Sequence, residues 1–140
     1  MKYDKLIIEK REMLLLQQIL ARIPKRMDDS YRASLDRLGE ELSLARVVED
    51  QDMPADVVRF NSIVTIVDPR RKQHAFQIVT PERGNIQQNR LSIIAPMGLA
   101  LFGYSQDDAV RWQFPGGEQT IRITRVEQDE PQLKAVGHDR

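Results

Sequence analysis

The spacing of apolar residues changes character near residue 50, and this change limits the chain to a short list of folds. Before it, Met13, Leu16, Leu20 and Ile23 recur at 3-4-3 spacing, and Tyr31, Leu35, Leu38, Leu42 and Ala45 at 4-3-4-3 spacing. Each set lies on one face of a helix. After it, residues 57–67 (VVRFNSIVTIV) and 74–79 (HAFQIV) are rich in β-branched residues and read as strands. Residues 49–56 (EDQDMPAD) lie between, polar and with no apolar period. The expected class is α+β, with helices in residues 1–50 and a β-rich part in residues 51–140.

The first helix starts near Lys10 and stops near Pro24; the second runs from about Tyr31 to near Val48. A loop of seven residues joins them, so they are expected to lie antiparallel, stripe against stripe, as a short coiled-coil hairpin. Leu14, Leu15 and Ile19 fall off the stripe, and residues 3–8 read equally well as extended chain or as a helix start. In the β-rich part, Pro69, Arg70, Arg71 and Lys72 form a hairpin turn, Gly84 and Asn85 another, and residues 91–94 a short strand. A short helix begins at Pro96 and is closed by Gly103, and strands at 109–114 and 120–126 are split by Pro115, Gly116 and Gly117. The last dozen residues are polar and expected to fray.

Several kinds of chemistry lack their parts. The chain has no cysteine, which removes disulfides, thiolate metal sites and cysteine nucleophiles, and points to a reducing cytoplasm. His74 and His138 are the only histidines, too few for a histidine metal site or a Ser-His-Asp triad. No catalytic residue, metal site or cofactor is expected. The apolar runs are too short for a membrane span. A net charge of zero weighs against a dedicated nucleic-acid binder. Residues 59–90 nevertheless carry Arg59, Arg70, Arg71, Lys72, Arg83 and Arg90 against Asp68 and Glu82, which reads either as solvated surface or as a docking face for an acidic partner. Trp112 alternates with Val110 and Phe114 on one strand face, a core position or an aromatic ligand platform. Asp28 and Asp29, at the hairpin tip, are a helix cap or a pair able to share a divalent cation with a partner's carboxylates.

The run Leu91 to Gly103 (LSIIAPMGLALFG), then Asp108, Ala109 and Val110, then Pro115, Gly116 and Gly117, resembles the C-terminal signature of the Gre transcript-cleavage factors. The run Met53 to Ser62 (MPADVVRFNS) is similar to the Rnk branch. The resemblance implies an FKBP-like antiparallel β domain with one short helix behind an N-terminal coiled coil. It implies RNA polymerase as the partner, with DNA reached only through it and the hairpin in the secondary channel. In cleavage-stimulating members, acidic tip residues help hold the catalytic Mg²⁺; Asp28 and Asp29 stand in that place, without the family's spacing. Asp107 occupies a position where the family usually has glycine. At 1.5 Å per residue the hairpin is only about 20–27 Å long, shorter than a Gre stalk. This favours a monomeric, non-cleaving, Rnk-like regulator over a Gre-type cleavage factor or an FKBP-like prolyl isomerase. The turn at Arg70, Arg71 and Lys72 is the candidate docking point.

Overall fold

The computed structural model describes residues 1–24, 28–114 and 116–129. Lys25, Arg26 and Met27 of the tip loop, Pro115, the tail with His138, and the side chains of Gln113 and Phe114 lie outside the described part.

Strand β1 (Ile7–Glu9) leads directly into helix α1 (Lys10–Ala21), and helix α2 (Asp29–Ser43) leads into β2 (Arg46–Val48). The undecided N-terminal stretch is thus extended, and it pairs in parallel with β2. The second helix stops five residues short of the expected Val48. Leu44 ends it, Ala45 N–H bonds back to Leu42 O, and Arg46 N–H donates to Leu6 O at 2.8 Å. Two consecutive valines then supply the partner that β1 otherwise lacks, and sheet pairing overrides the remaining helical stripe.

Five further strands, β3 (Ile63–Val67), β4 (Gln73–Val79), β5 (Arg90–Ser92), β6 (Ala109–Phe114) and β7 (Gly117–Glu127), form one sheet in the order β5-β4-β3-β7-β6. The pairs are antiparallel except β4 with β5, which is parallel, the chain passing from one to the other through two 3-10 turns. The run expected as a strand from residue 57 enters the sheet only at Ile63. Asn61 sits at φ +71° and donates its N–H to Ile78 O, so the chain kinks before pairing begins, although Val57, Val58 and Phe60 are buried all the same.

The glycine- and proline-bearing signature has a structural reading residue by residue. Pro96 takes the first turn of α3 (Pro96–Leu101), where its missing N–H leaves no helical bond unmade. Gly98 brings α3 against the β5 turn: a Cβ there would stand 2.5 Å from Ser92 O and 2.8 Å from Ile93 O. Gly103 ends the segment at φ +86°. Asp108 is 4% exposed, and its carboxylate accepts from Ser105 N–H at 2.9 Å and from the Lys2 backbone. Asp107 takes φ +77° and donates its N–H to Ile123 O.

Helices and sheet share one core. It runs from Leu6, Ile8, Met13 and Leu16 through Leu38 to Val64, Ile78, Leu101, Trp112 and Ile123. Leu38 of the α2 stripe is buried in this core and α2 packs on α3 and β6, while Leu35 and Leu42 line a groove opposite Leu20 of α1. On the sheet side this packing buries Trp112, Val110 and Ile121. No helix of the described residues is long and apolar enough to cross a membrane.

Candidate functional site

Helix α2 carries the tip, and its polar residues tie it to the β-rich part along its length. Asp28 is the N-cap: its Oδ1 accepts from Tyr31 N–H at 2.8 Å and from Ser30 Oγ at 3.0 Å. The Tyr31 N–H, then the Ser30 hydroxyl, hold this exposed carboxyl below its ordinary range. Asp29 follows as the first residue of the helix and is exposed. Tyr31 donates its hydroxyl to Ile94 O, just before α3, and burial raises its pKa. Six residues further, the Arg37 guanidinium lies 5.0 Å from the Trp112 ring centroid and donates to Arg111 O at 2.6 Å, which satisfies a carbonyl of the edge strand β6. Glu41 accepts from the Tyr104 hydroxyl at 2.7 Å. Burial, then the Glu41 carboxylate, push Tyr104 well above the usual phenol range. Asp28 and Asp29 therefore stand within one helical turn of a bond to the turn that precedes α3.

A second polar cluster joins α1 to the β-rich part. Arg59 donates from Nε to Glu12 Oε2 at 2.9 Å and from Nη2 to Asp50 Oδ1 at 2.9 Å, while Phe60 N–H reaches the other Glu12 oxygen at 3.2 Å. Burial raises the Glu12 pKa, and the Arg59 hydrogen bond and charge pull against it. The N-terminal segment is strapped down beside it: Lys2 and Tyr3 both bond to Asp56, whose carboxyl is lowered by these two partners despite partial burial.

The basic turn is rigid but separate from the tip. Asp68 Oδ1 accepts the backbone N–H groups of Arg70 (2.8 Å) and Lys72 (2.9 Å), its Oδ2 lies 3.1 Å from His74 Nε2, and Arg71 takes φ +66°. The Lys72 N–H, then His74, lower the Asp68 pKa. Arg70, Arg71 and Lys72 project into solvent at the start of β4, whereas Tyr31 bonds beyond the far end of that strand. The other bases of residues 59–90 are engaged: Arg59 with Glu12, Arg83 with Asn61 and Arg90 with Gln88. Trp112 is 1% exposed beneath α2, which makes it core and not a ligand platform. Among the described residues no group of three His, Cys, Asp or Glu side chains could hold a metal. Sequence reasoning missed Tyr31, Arg37, Glu41, Glu12 and Arg59 as ties; a tyrosine inside a leucine stripe was the one local signal.

Residues 53–128 match the family described as transcription elongation factor GreA/GreB, C-terminal region. The chain belongs to this GreA/GreB family. The transcription elongation factor GreA of Rhodopseudomonas palustris is 33% identical over 95 residues, covering 67% of this chain and 59% of the relative. That of Rhodospirillum rubrum is 30% identical over 90 residues, covering 64% and 57%. The chain thus spans less than two thirds of the length of these GreA relatives. A solved structure of similar size, the prokaryotic transcription elongation factor GreA/GreB from Nitrosomonas europaea, superposes with a TM-score of 0.69 at 29% identity, over 88% of this chain and 98% of that one. The family match starts at Met53, after both helices and inside the polar link, and takes in the whole five-stranded sheet.

Proposed function

We propose that this GreA/GreB-family chain binds RNA polymerase in the cytoplasm and seats its short hairpin at the mouth of the secondary channel without supporting RNA cleavage, as in the Rnk branch. Residues 1–50 and 51–140 are its two functional parts, DNA is reached only through the polymerase, and the chain itself contributes no catalytic group. One observation carries the reading. The Asp28 carboxylate is engaged as a helix cap, and Tyr31, three residues on, is bonded to Ile94 O, so the start of α2 is tied to the β-rich part. With helices of 12 and 15 residues, about 18 and 22 Å at 1.5 Å per residue, the hairpin has little reach beyond it. A carboxylate that misses a metal by several ångströms contributes no coordination.

The second reading, a Gre-type cleavage factor, is favoured by the names of the relatives. A backtracked-complex assay separates the two. The full chain is expected to bind core polymerase without accelerating cleavage, and Asp28→Asn with Asp29→Asn is expected to keep binding while lowering the melting temperature through the lost cap. Cleavage that the wild type accelerates and the double variant abolishes, with binding intact, establishes the second reading instead.

Arg70, Arg71 and Lys72 are proposed as part of the docking face, because the Asp68 bonds hold their turn rigid and all three are exposed. Reversing all three to glutamate should weaken polymerase binding most at low salt, where surface charge is least screened. Unchanged affinity there removes the turn from the interface.

A further inference from the structure

Strand β4 has seven residues, but β5 pairs only with its last three, Gln77, Ile78 and Val79. From Gln73 to Phe76 it therefore has β3 on one side and no strand on the other. The hydrogen-bond phase fixes which groups face this gap. Ile78 N–H donates to Ser62 O on the β3 side, and Gln77 N–H donates to Asn89 O on the opposite side. Backbone groups alternate between the two sides along a strand, so Gln73 and Ala75 turn both N–H and C=O away from β3, toward open solvent. Both residues are exposed. Native sheets guard such an edge with proline, a bulge or a lysine within the strand; the run Gln73, His74, Ala75, Phe76 pairs with β3 without a register shift and contains neither proline nor lysine.

Resting on the docking reading of Arg70, Arg71 and Lys72, we propose that this open stretch of β4 receives an acidic, extended segment of the polymerase, which adds to the sheet as a strand in line with β5. The free backbone groups select a strand, and the charge beside them selects its composition. From Pro69 to Val79 the chain contains no carboxylate. Arg70, Arg71 and Lys72 stand exposed at one end of the gap, and Arg90, exposed and bonded to the neutral Gln88, stands at the other. The neighbouring acids are engaged: Asp68 with Arg70 N–H, Lys72 N–H and His74, and Asp129 with Gln77 at the end that β5 already covers. An added strand gains ladder bonds to both groups of Gln73 and of Ala75, as in other edge-strand recognition. Its acidic side chains meet bases at both ends, and a residue opposite Phe76, which is only partly buried, finds an apolar neighbour.

Backbone amide exchange on the full chain, with and without core polymerase, reads the added strand directly. Binding should slow exchange at Gln73 and Ala75. Ala75→Pro removes an N–H that β3 does not use, so it should fold and bind polymerase about tenfold more weakly, while Ala75→Thr binds as the wild type does. Polymerase that binds while the Gln73 and Ala75 amides exchange as in the free chain overturns the added strand and leaves the docking reading standing; this outcome needs no variant to fold. A folded Ala75→Pro chain with unchanged affinity overturns it as well. A chain that does not bind polymerase refutes the docking reading, and a fluorescein-labelled octapeptide alternating glutamate with threonine then decides the site alone. Protection of the same two amides by this peptide, and not by its lysine counterpart, retains an acidic strand in the gap; equal or absent protection overturns it.

Discussion

Replacing Gly98 by alanine tests the packing that holds α3 in place, and two opposing effects set its magnitude. Alanine in a helix is favoured over glycine by about 1 kcal/mol, so an unconstrained site would be stabilised. Here the added methyl would stand 2.5 Å from Ser92 O and 2.8 Å from Ile93 O, and 3.0 Å from Ile93 C, all backbone atoms. These distances are roughly 1 Å inside ordinary contact. Ser92 O also accepts Ala95 N–H at 3.0 Å in the turn that starts α3, so the carbonyl cannot rotate away without losing that bond. The remaining route is to move α3 off β5, and α3 carries Leu99, Ala100 and Leu101, each no more than 1% exposed. Overpacking of this kind costs about 1–3 kcal/mol or more, with a backbone obstacle at the upper end. Net destabilisation of about 2 kcal/mol is expected. Urea unfolding followed by Trp112 fluorescence should show a midpoint lower by about 1 M for a slope near 2 kcal/mol/M. A variant as stable as the wild type, or more so, refutes the close approach of α3 to the β5 turn.

Two further substitutions address buried charge and backbone strain. Arg59→Met leaves Glu12 buried without its partner and should cost about 3–5 kcal/mol near neutral pH. Glu12 already has a raised pKa, so its folded state binds the proton more tightly than the unfolded state. The deficit relative to wild type should therefore shrink as pH falls from about 7 toward about 5; denaturant melts showing the same deficit at both pH values would rule out Glu12 as its source. Asp107→Gly removes a left-handed residue at φ +77° and should raise stability by up to about 1 kcal/mol, the relief of strain exceeding the extra chain entropy of glycine; a lower melting temperature by calorimetry counts against this.

Much of the fold was legible because its signals are local. The 3-4 stripes mark α1 and α2, alternation marks β6 at its observed bounds, and Pro96 with Gly103 brackets α3. Asp107 was singled out only through the resemblance, and its backbone is left-handed, a conformation that glycine adopts more easily. The second helix was overextended because residues 44–48 continue its apolar pattern, and only pairing with a distant strand converts them to β2. The parallel β4-β5 pair escaped for the same reason: register between strands is not written in either strand alone.

The candidate site divides along the same line. The sequence by itself determined that Asp28 and Asp29 lie at a helix start and that Arg70, Arg71 and Lys72 form a turn, since capping and turn chemistry depend on a few neighbouring residues. Tertiary structure alone decided what the α2 stripe faces. An amphipathic stripe specifies that a face is buried, not against what, because apolar burial is non-directional and the larger surface wins. Leu38 is buried in one core with Trp112 while Leu35 and Leu42 face Leu20 of α1, Tyr31 reaches Ile94, and Arg59 meets Glu12 across 47 positions of chain. Tyr31 therefore ties the start of α2 to the turn before α3, and a groove is left open between the helices.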